Sequence, residues 1–596
     1  MSKFEKLSAE RKRLQADGKL PKWMTTMGWQ AFKGKYLYHA NTYEEQIDRI
    51  VENLSQYCQT TPEYFKARWK EMLMANHAYL ATPVLANNGT SRGLSVSCSG
   101  SVIDDSIYGF GASRLEAAIL SQEGFGTSSY LGGIRARGTE ISRGGTADGI
   151  LPVFKDMVIG ADNVSQGGIR RGAWAGYLGI SHDDFWEIAL EVRNNPDGSN
   201  VGWNIYDTDI ALLNAGDEEI LLRFQETQYL KCLTGRGYYY FVDKVARMQP
   251  DMYEEHNLSS KASNLCTEIT LHADKDHSYT CVLSGMVLTT FDEWKDTDAV
   301  YCMTIMLDCL VEDFLVKARN IRGLEAIVKG TEKGRAIGLG ATGYHSALQQ
   351  RGLPWSSMDA HFFNMTVFKH IQEESLKASQ FMAKEWGEPE WCKGYGVRNT
   401  HRTALAPNVS SALIFGSESQ GTTPWYGNVY QEGTASGEMF RVNPAFIKVL
   451  ASYGKDDDET FMKVLNDGGS ARSLDFLSDE EKEIFFSILA QEYPSNNIGL
   501  AKAKKWLTKM YGCFDDEIEQ DYAVHNDLGD AIYYLDTTAT TTTEHSLTTF
   551  LRILSLDCGG VDSNAYRAID SFLSDLSALE AKWFIRYWLK TTRNGL

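Results

Sequence analysis

Apolar residues recur at three- and four-residue spacing over residues 43–57 and 64–80, predicting helices in a polar-rich N-terminal region that ends near residue 80. From 81 to about 300 the texture changes. Short apolar runs alternate with turns rich in Gly, Ser and Thr, and with helical stretches such as 182–192. There Ser181 and Asp184 stand at the spacing of a capping box. Such alternation predicts an α/β architecture. Residues 362–386 carry a long helical pattern, Asn443-Pro444 starts another that Gly454 stops, and Ser478 with Glu481 makes a further capping box. Beyond about 484 glycine becomes sparse, helical patterns dominate, and the Thr-rich run 537–543 reads as a low-complexity linker. Three regions are therefore expected: 1–80 helical, 81–483 α/β, and 484–596 all-α.

Composition narrows the class. With 43% hydrophobic and 23% charged residues the chain is globular, not disordered. A net charge of −19 argues against a surface built wholesale for nucleic acid or anionic lipid. The most apolar stretch, 300–316, is interrupted by Asp308, Glu312 and Asp313, too charged to span a bilayer, so no membrane partner is expected. The opening Met1-Ser2-Lys3-Phe4-Glu5-Lys6 has no apolar core and is not a signal peptide, which makes a cytoplasmic location the expectation. Ten cysteines occur without any C-x-x-C, supporting neither a zinc ribbon nor a secreted disulfide framework. Most read as small buried apolar residues; any that react must be brought together by the fold.

The segment richest in chemistry is Asn264-Leu265-Cys266-Thr267-Glu268. If extended, it points amide, thiol and carboxylate to one face, an arrangement suited to a polyhydroxylated substrate: Asn to fix hydroxyls, Glu to take a proton, Cys to react. On these five residues alone, a buried structural cysteine flanked by solvent-facing polar groups is the simpler reading. Cys98, in Ser95-Val96-Ser97-Cys98-Ser99-Gly100, and Cys281, opening Cys281-Val282-Leu283-Ser284-Gly285, both lie in short alternating runs beside turn residues, as at strand ends. Two thiols at facing strand ends can deliver two electrons and close to a disulfide. Taken singly, each reads as core packing. Gly338-Leu339-Gly340-Ala341-Thr342-Gly343 satisfies the dinucleotide G-x-G-x-x-G fingerprint, but it follows a charged run and a packing role is expected. His182-Asp183-Asp184 reads as a helix cap, and no His/Glu spacing demands a metal.

Together, the Asn264–Glu268 pentapeptide, Cys98 and Cys281 resemble the catalytic subunit of ribonucleotide reductases, over about residues 20–483. Ala81-Thr82-Pro83 resembles the family's substrate-phosphate segment, with Ser97 beside the first reductant cysteine. Ala406-Pro407-Asn408-Val409-Ser410-Ser411 resembles the turn that cradles substrate phosphates, and a Pro/Ser-rich turn entering a helix does aim free N–H groups at an anion. Asp105-Ser106-Ile107 and Arg135 resemble the specificity-effector site. Ser165-Gln166-Gly167-Gly168-Ile169-Arg170 resembles the loop connecting that site to substrate.

The resemblance implies a ten-stranded α/β barrel, its last strand missing or supplied by another chain, with Cys266 on an inner loop. It also implies roles. Cys266 as a thiyl radical takes the ribose 3′-hydrogen, Glu268 accepts the 3′-hydroxyl proton, and Asn264 binds the ribose hydroxyls. Cys98 protonates the departing 2′-hydroxyl, and Cys98 with Cys281 supplies two electrons. No cofactor is expected to be bound covalently in this chain. The radical comes from a metal-containing small subunit (class I), with adenosylcobalamin (class II) as the alternative. A ribonucleoside diphosphate substrate, a dNTP or ATP effector, a homodimer and a thioredoxin- or glutaredoxin-type reductant complete the implied set.

Other features depart from the family. Class I members carry a late Tyr–Tyr strand and a Cys-pair tail; the likeness stops near 483, Tyr533-Tyr534 lacks the surrounding context, and Cys513 and Cys558 stand far apart. The N-terminal ATP-binding module of many relatives is not expected, and Val287 stands where many have Asn. The segment 547–596 is similar to the N-terminal DNA-binding domain of ATP-dependent DNA ligases. Lys582, Arg586, Lys590 and Arg593 make a basic stripe on one helical face that could contact phosphates, although 484–596 carries a net charge of −5. No K-x-D-G nucleotidyl-transfer lysine occurs, which excludes ligation by this chain alone. Two functions are weighed: ribonucleotide reduction, and a catalytically incomplete chimeric or split-gene chain that binds nucleotides or DNA without turnover.

Overall fold

The computed structural model describes residues 3–166, 170–198, 200–434 and 437–492. Helices Tyr43–Ser55 and Pro62–Met74 form where the apolar period predicts them, and the second pattern ends in strand β1, Ala78–Leu80. The other strands are β2 (Cys98–Val102), β3 (Gly126–Tyr130), β4 (Ser165–Gln166), β5 (Arg170–Arg171), β6 (Ala173–Gly179), β7 (Val201–Ile205), β8 (Tyr239–Phe241), β9 (Tyr279–Cys281), β10 (Leu283–Val287), β11 (Gly338–Thr342), β12 (Val429–Thr434) and β13 (Gly437–Val442).

A six-stranded sheet has the order β8-β7-β6-β3-β2-β9. The run from β8 to β2 is parallel throughout, while β9 pairs antiparallel with β2. Helices Ile107–Gln122, Ile150–Asp162 and Phe185–Asn194 are the crossovers that parallel pairing demands. A second sheet has the order β1-β10-β11, with Thr403 bridging in parallel to Leu339. Only Val282 separates β9 from β10, so one segment edges the first sheet and runs through the second. The result is a curled α/β sheet of mixed direction, since β1 pairs antiparallel with β10 while β10 and β11 are parallel. Crossover helices cover the first sheet over a core that includes Phe154, Trp174, Phe185 and Trp203.

The glycine fingerprint at 338–343 is strand β11 itself, not a phosphate loop. A Cβ at Gly338 would meet Leu283 at 2.4 Å, and one at Gly340 would meet the Ala404 carbonyl at 2.7 Å, so close packing selects these glycines. The capping box expected at Ser181 and Asp184 is not formed. Helix Phe185–Asn194 begins at Asp184 without a side-chain cap. The Asp184 carboxylate is instead spent elsewhere, accepting from the N–H of Arg137 (2.9 Å) and of Ile150 (2.8 Å), the first residue of helix Ile150–Asp162.

The charged interruptions of 300–316 lie in helix Ala299–Ala318, buried on nearly every face. Asp308 accepts from Arg335 Nε (3.0 Å), Arg398 Nε (2.9 Å) and Asn399 Nδ2 (3.0 Å). Asp313 accepts from Ser95 Oγ (2.9 Å), Asn53 Nδ2 (3.0 Å) and Lys317 Nζ (3.0 Å). Burial alone would raise the Asp308 carboxyl, but Arg335 and Arg398 overcome it and hold the group below its usual range. No helix among the described residues is long and apolar enough to cross a membrane.

The described residues fall into two compact units, 3–350 with 367–466, and 351–366 with 467–492. In the second, Ser478 and Glu481 form the expected capping box on helix Asp479–Ile484. In the first, Asn443 caps helix Pro444–Ser452. The long helix runs Met358–Trp386. The expected stripe Lys582, Arg586, Lys590 and Arg593, the pair Tyr533-Tyr534, Cys513 and Cys558 lie outside the described residues.

Candidate active site

Cys98 opens β2 and Cys281 closes β9, and the antiparallel register makes them direct Cα partners. Directly opposed residues project from the same face, so the two buried thiols are neighbours. Burial pushes the Cys281 thiol well up. Cys98 adds to this as a hydrogen-bond partner and neighbouring thiol, and Glu268 and Cys266 add more. All four groups therefore share one electrostatic neighbourhood. Glu268 and Cys281 also line one cavity of about 30 Å³, the size of a water molecule.

Cys266 does not sit in an extended segment. Residues 256–278 form an irregular loop between helix Asp251–Glu255 and β9, and 264–267 make a tight turn in which Thr267 N–H donates to the Asn264 carbonyl (3.2 Å). Thr267 has φ +66°, a left-handed conformation costly for a β-branched residue, so the surroundings must enforce it. Tyr177 of β6 does so: its hydroxyl donates to the Asn264 carbonyl (2.6 Å) and accepts from Thr267 Oγ1 (2.7 Å). Ser128 of β3 donates to the Ser263 carbonyl (2.8 Å), and Asn204 of β7 to that of Lys261 (2.7 Å). Three adjacent parallel strands thus grip the loop by their side chains and leave Cys266 half-buried at the turn. Sequence reasoning passed over these anchors; hydroxyl- and amide-bearing residues inside otherwise apolar strands are the signal that could have marked them.

The turn aims two polar groups without partners. Asn264 is fully buried and its Oδ1 accepts from the N–H of Glu268 (3.1 Å) and Ile269 (3.2 Å), while its buried Nδ2 has no hydrogen-bond partner. Oε2 of Glu268 is likewise buried and unpartnered. Burial raises the Glu268 carboxyl above its ordinary value; its own backbone N–H and the Asn264 amide, which is near without a formed hydrogen bond, pull partly the other way. A locked amide presenting N–H groups and a carboxylate of raised basicity are what a hydroxyl-bearing substrate needs. Tyr238, just before β8, is a further neighbour: burial raises its phenol, with Cys266, Glu268 and Tyr426 within electrostatic reach.

The expected phosphate contacts converge in part. Thr82 opens helix Thr82–Asn87, and Pro407 and Asn408 lead into helix Val409–Ile414. Ser411 Oγ donates to the carbonyl of Leu80, which brings the two helix starts together (3.0 Å). Asn408 and Ser411 do not offer their side chains outward. Asn408 bridges Thr342, Ala341 and Gly421. Ser97 is buried, its carbonyl accepting from Gly126 N–H (2.9 Å).

Asp105, Ser106, Ile107 and Arg135 line one cavity of about 530 Å³ with Asp148, Asp156 and Met157. Ser106 caps helix Ile107–Gln122 through Gly109 N–H (3.0 Å), and Arg135 Nε holds Asp105 at 2.5 Å. Ser165 and Gln166 form β4, paired with β5 at Arg170 and Arg171, and β4 lies against helix Ile107–Gln122.

The curled sheet and the cross-strand dithiol beside a third, separately gripped cysteine define an oxidoreductase that works through thiols. The family profile "Ribonucleotide reductase, barrel domain" matches residues 96–208, 223–393 and 389–508, and the chain belongs to that family. A protein of Frog virus 3 described as a ribonucleoside-diphosphate reductase large subunit is 30% identical over 430 residues, 68% of this chain and 74% of that protein. A vitamin B12-dependent ribonucleoside-diphosphate reductase of Thermoplasma acidophilum is 26% identical over 74% of this chain and 60% of its own length. Several of the curated relatives extend well beyond the match, which spans about 60% of their length. Among solved structures, the Actinobacillus ureae class Id ribonucleotide reductase alpha subunit superposes with a TM-score of 0.72 at 30% identity, covering 85% of this chain and 95% of that one. Residues 472–596 match the profile "DNA ligase N terminus".

Proposed function

We propose that this chain is the catalytic subunit of a ribonucleoside-diphosphate reductase, and that Cys266, Cys98 and Cys281 carry the reaction. The observation that supports this most is the Cys98–Cys281 register, together with a turn whose Asn264 Nδ2 and Glu268 Oε2 lack partners. Cys266, as a thiyl radical, takes the 3′-hydrogen atom and becomes a thiol, leaving a carbon radical on the ribose. Glu268 takes the 3′-hydroxyl proton, and the Asn264 N–H groups hold the hydroxyls in place. Cys98 gives its proton to the 2′-hydroxyl, which leaves as water. Cys281 gives its hydrogen to C2′ as Cys98 and Cys281 supply two electrons and close to a disulfide, Glu268 returns its proton to the 3′-oxygen, and Cys266 returns a hydrogen atom to C3′ as its thiyl radical is restored.

The radical is supplied by a separate metal-bearing subunit; adenosylcobalamin is the alternative source. The 530 Å³ cavity takes a nucleoside triphosphate effector, whose phosphates suit Arg135. Helices Ile107–Gln122 and Ile150–Asp162 form the dimer face, because Ile107, Tyr108, Leu115 and Ile159 are exposed on them. Residues 1–80, 81–483 and 484–596 act as a helical entry region, the barrel and a DNA-contacting appendage bearing Lys582, Arg586, Lys590 and Arg593.

The test is deoxyribonucleotide formation by the full chain with a class Id-type small subunit, dithiothreitol and a dNTP effector. Product from wild type and none from Cys266→Ser supports the assignment. Equal activity in Cys266→Ser, or no product with either that subunit or adenosylcobalamin, overturns it.

A further inference from the structure

Between the Cys266 turn and β9 lies a cluster that the reductase chemistry does not use. His272, Asp274 and His277 each offer one ligand atom, and these atoms all lie within 4.8 Å of one another. His272 Nε2 stands 3.1 Å from Asp274 Oδ2, and His277 Nδ1 stands 3.0 Å from Asp274 Oδ1. A zinc ion with bonds of about 2.0–2.1 Å holds tetrahedral ligand atoms about 3.3 Å apart, so small adjustments suffice. The rings are already placed. Trp391 packs against both, with centroids 5.5 Å from His272 and 5.6 Å from His277. The His272 side chain is only 5% exposed.

The far side of His272 meets the backbone of Ser259. Its Nδ1 lies 2.9 Å from the Ser259 carbonyl and 3.0 Å from the Ser259 N–H, so either tautomer finds a partner there. The Nδ1–H tautomer leaves the Nε2 lone pair facing the Asp274 carboxylate for a shared cation, and the other lets Nε2–H donate to Oδ2 at 3.1 Å. An imidazole whose second nitrogen donates to a backbone carbonyl is the usual support of a metal-bound histidine. Turn formation accounts for Asp274 Oδ1, which accepts from the N–H of Asp276 and His277, both at 2.8 Å. His272 Nε2 adds a side-chain contact to Oδ2 and His277 Nδ1 one to Oδ1. Asp274 also lines a cavity of about 330 Å³.

We propose that His272, Asp274 and His277 bind a divalent cation of the zinc type, with two imidazole nitrogens and one carboxylate as ligands and water in the fourth position. The ion clips the irregular loop that carries Cys266 to strand β9, which carries Cys281. Its role is structural.

The full chain, stripped with a chelator and titrated with zinc alone, tests this by calorimetry and metal analysis. About one zinc per chain is expected, with His272→Gln and His277→Gln each lowering affinity about 100-fold or more. The Cys98→Ser/Cys281→Ser variant separates this site from thiol capture of zinc and should bind as wild type does. Cobalt should give visible d–d bands without the near-ultraviolet thiolate charge-transfer band. Should His272→Gln fail to fold by circular dichroism, the more exposed His277→Gln carries the test. No binding by wild type, or binding lost in the cysteine variant and kept in His277→Gln, overturns the proposal.

Discussion

Helix Ala299–Ala318 and the Cys266 turn both bury carboxylates, and they treat them in opposite ways. Asp308 and Asp313 are surrounded by donors, from Arg335, Arg398 and Asn399 for the first and from Ser95, Asn53, Asn88 and Lys317 for the second. Glu268 keeps an oxygen without a partner, and Asn264 beside it an amide nitrogen. A buried charge with every lone pair met is architecture; one left open is held ready for something absent from the chain.

The comparison breaks most visibly at Asp308. Asp308→Ala strands two buried guanidinium groups, and denaturant unfolding should show a loss of about 3–5 kcal/mol. The pH profile follows from the same pairing. Because the folded Asp308 carboxyl is held below its usual range, its contribution is present above the ordinary aspartate pKa and is lost as pH falls through the lowered value. Acid unfolding of Asp308→Asn should therefore be less steep than that of wild type.

Glu268→Gln should do the reverse. Loss of the proton acceptor should lower turnover about 10²–10⁴-fold in a steady-state assay. Stability at neutral pH should hold or rise, because a carboxyl raised in the folded state makes folding less favourable as pH climbs from the ordinary glutamate pKa through the raised one. A variant destabilised by several kcal/mol would place Glu268 with Asp308.

A smaller effect is expected at Tyr177. Tyr177→Phe removes the hydroxyl that bridges Asn264 and Thr267, at a cost of about 1–2 kcal/mol in unfolding measurements. Turnover should fall about tenfold with KM little changed, since the strained turn loosens while the phosphate contacts remain. The smallest shift is expected at Ser128→Ala, which deletes one of several grips on the loop and should cost about 1 kcal/mol.

What was legible in the sequence follows the same division. Cys266 stands out because Asn264 and Glu268 are polar where a core strand would be apolar, whereas Cys98 and Cys281 singly read as core packing; the alternation of strands and helices gave the α/β class, and the resemblance implied the barrel. The extended reading of 264–268 fails because φ at Thr267 is imposed by Tyr177, 90 positions upstream, which no local pattern encodes. Asp184 looked like a cap for its own helix and serves another for the same reason: its partners, Arg137 and Ile150, are remote. Asp308 was read only as too polar for a membrane; Arg335 and Arg398, which make its burial tolerable, are distant in sequence. The approach of Cys58 to Cys309, Sγ to Sγ 3.6 Å, left no trace in spacing at all.

The single-residue junction at Val282 has an evolutionary consequence. Side chains alternate faces along a strand, so inserting or deleting one residue between Tyr279 and Val287 would turn Cys281 away from Cys98 or break the β10–β11 register. Upstream, residues 256–263 have no ladder to keep in step. Homologous chains should therefore vary in length before Ser263 and be frozen in length from Tyr279 to Val287, so that gap placement alone would locate the redox strand in a sequence whose cysteines had been erased.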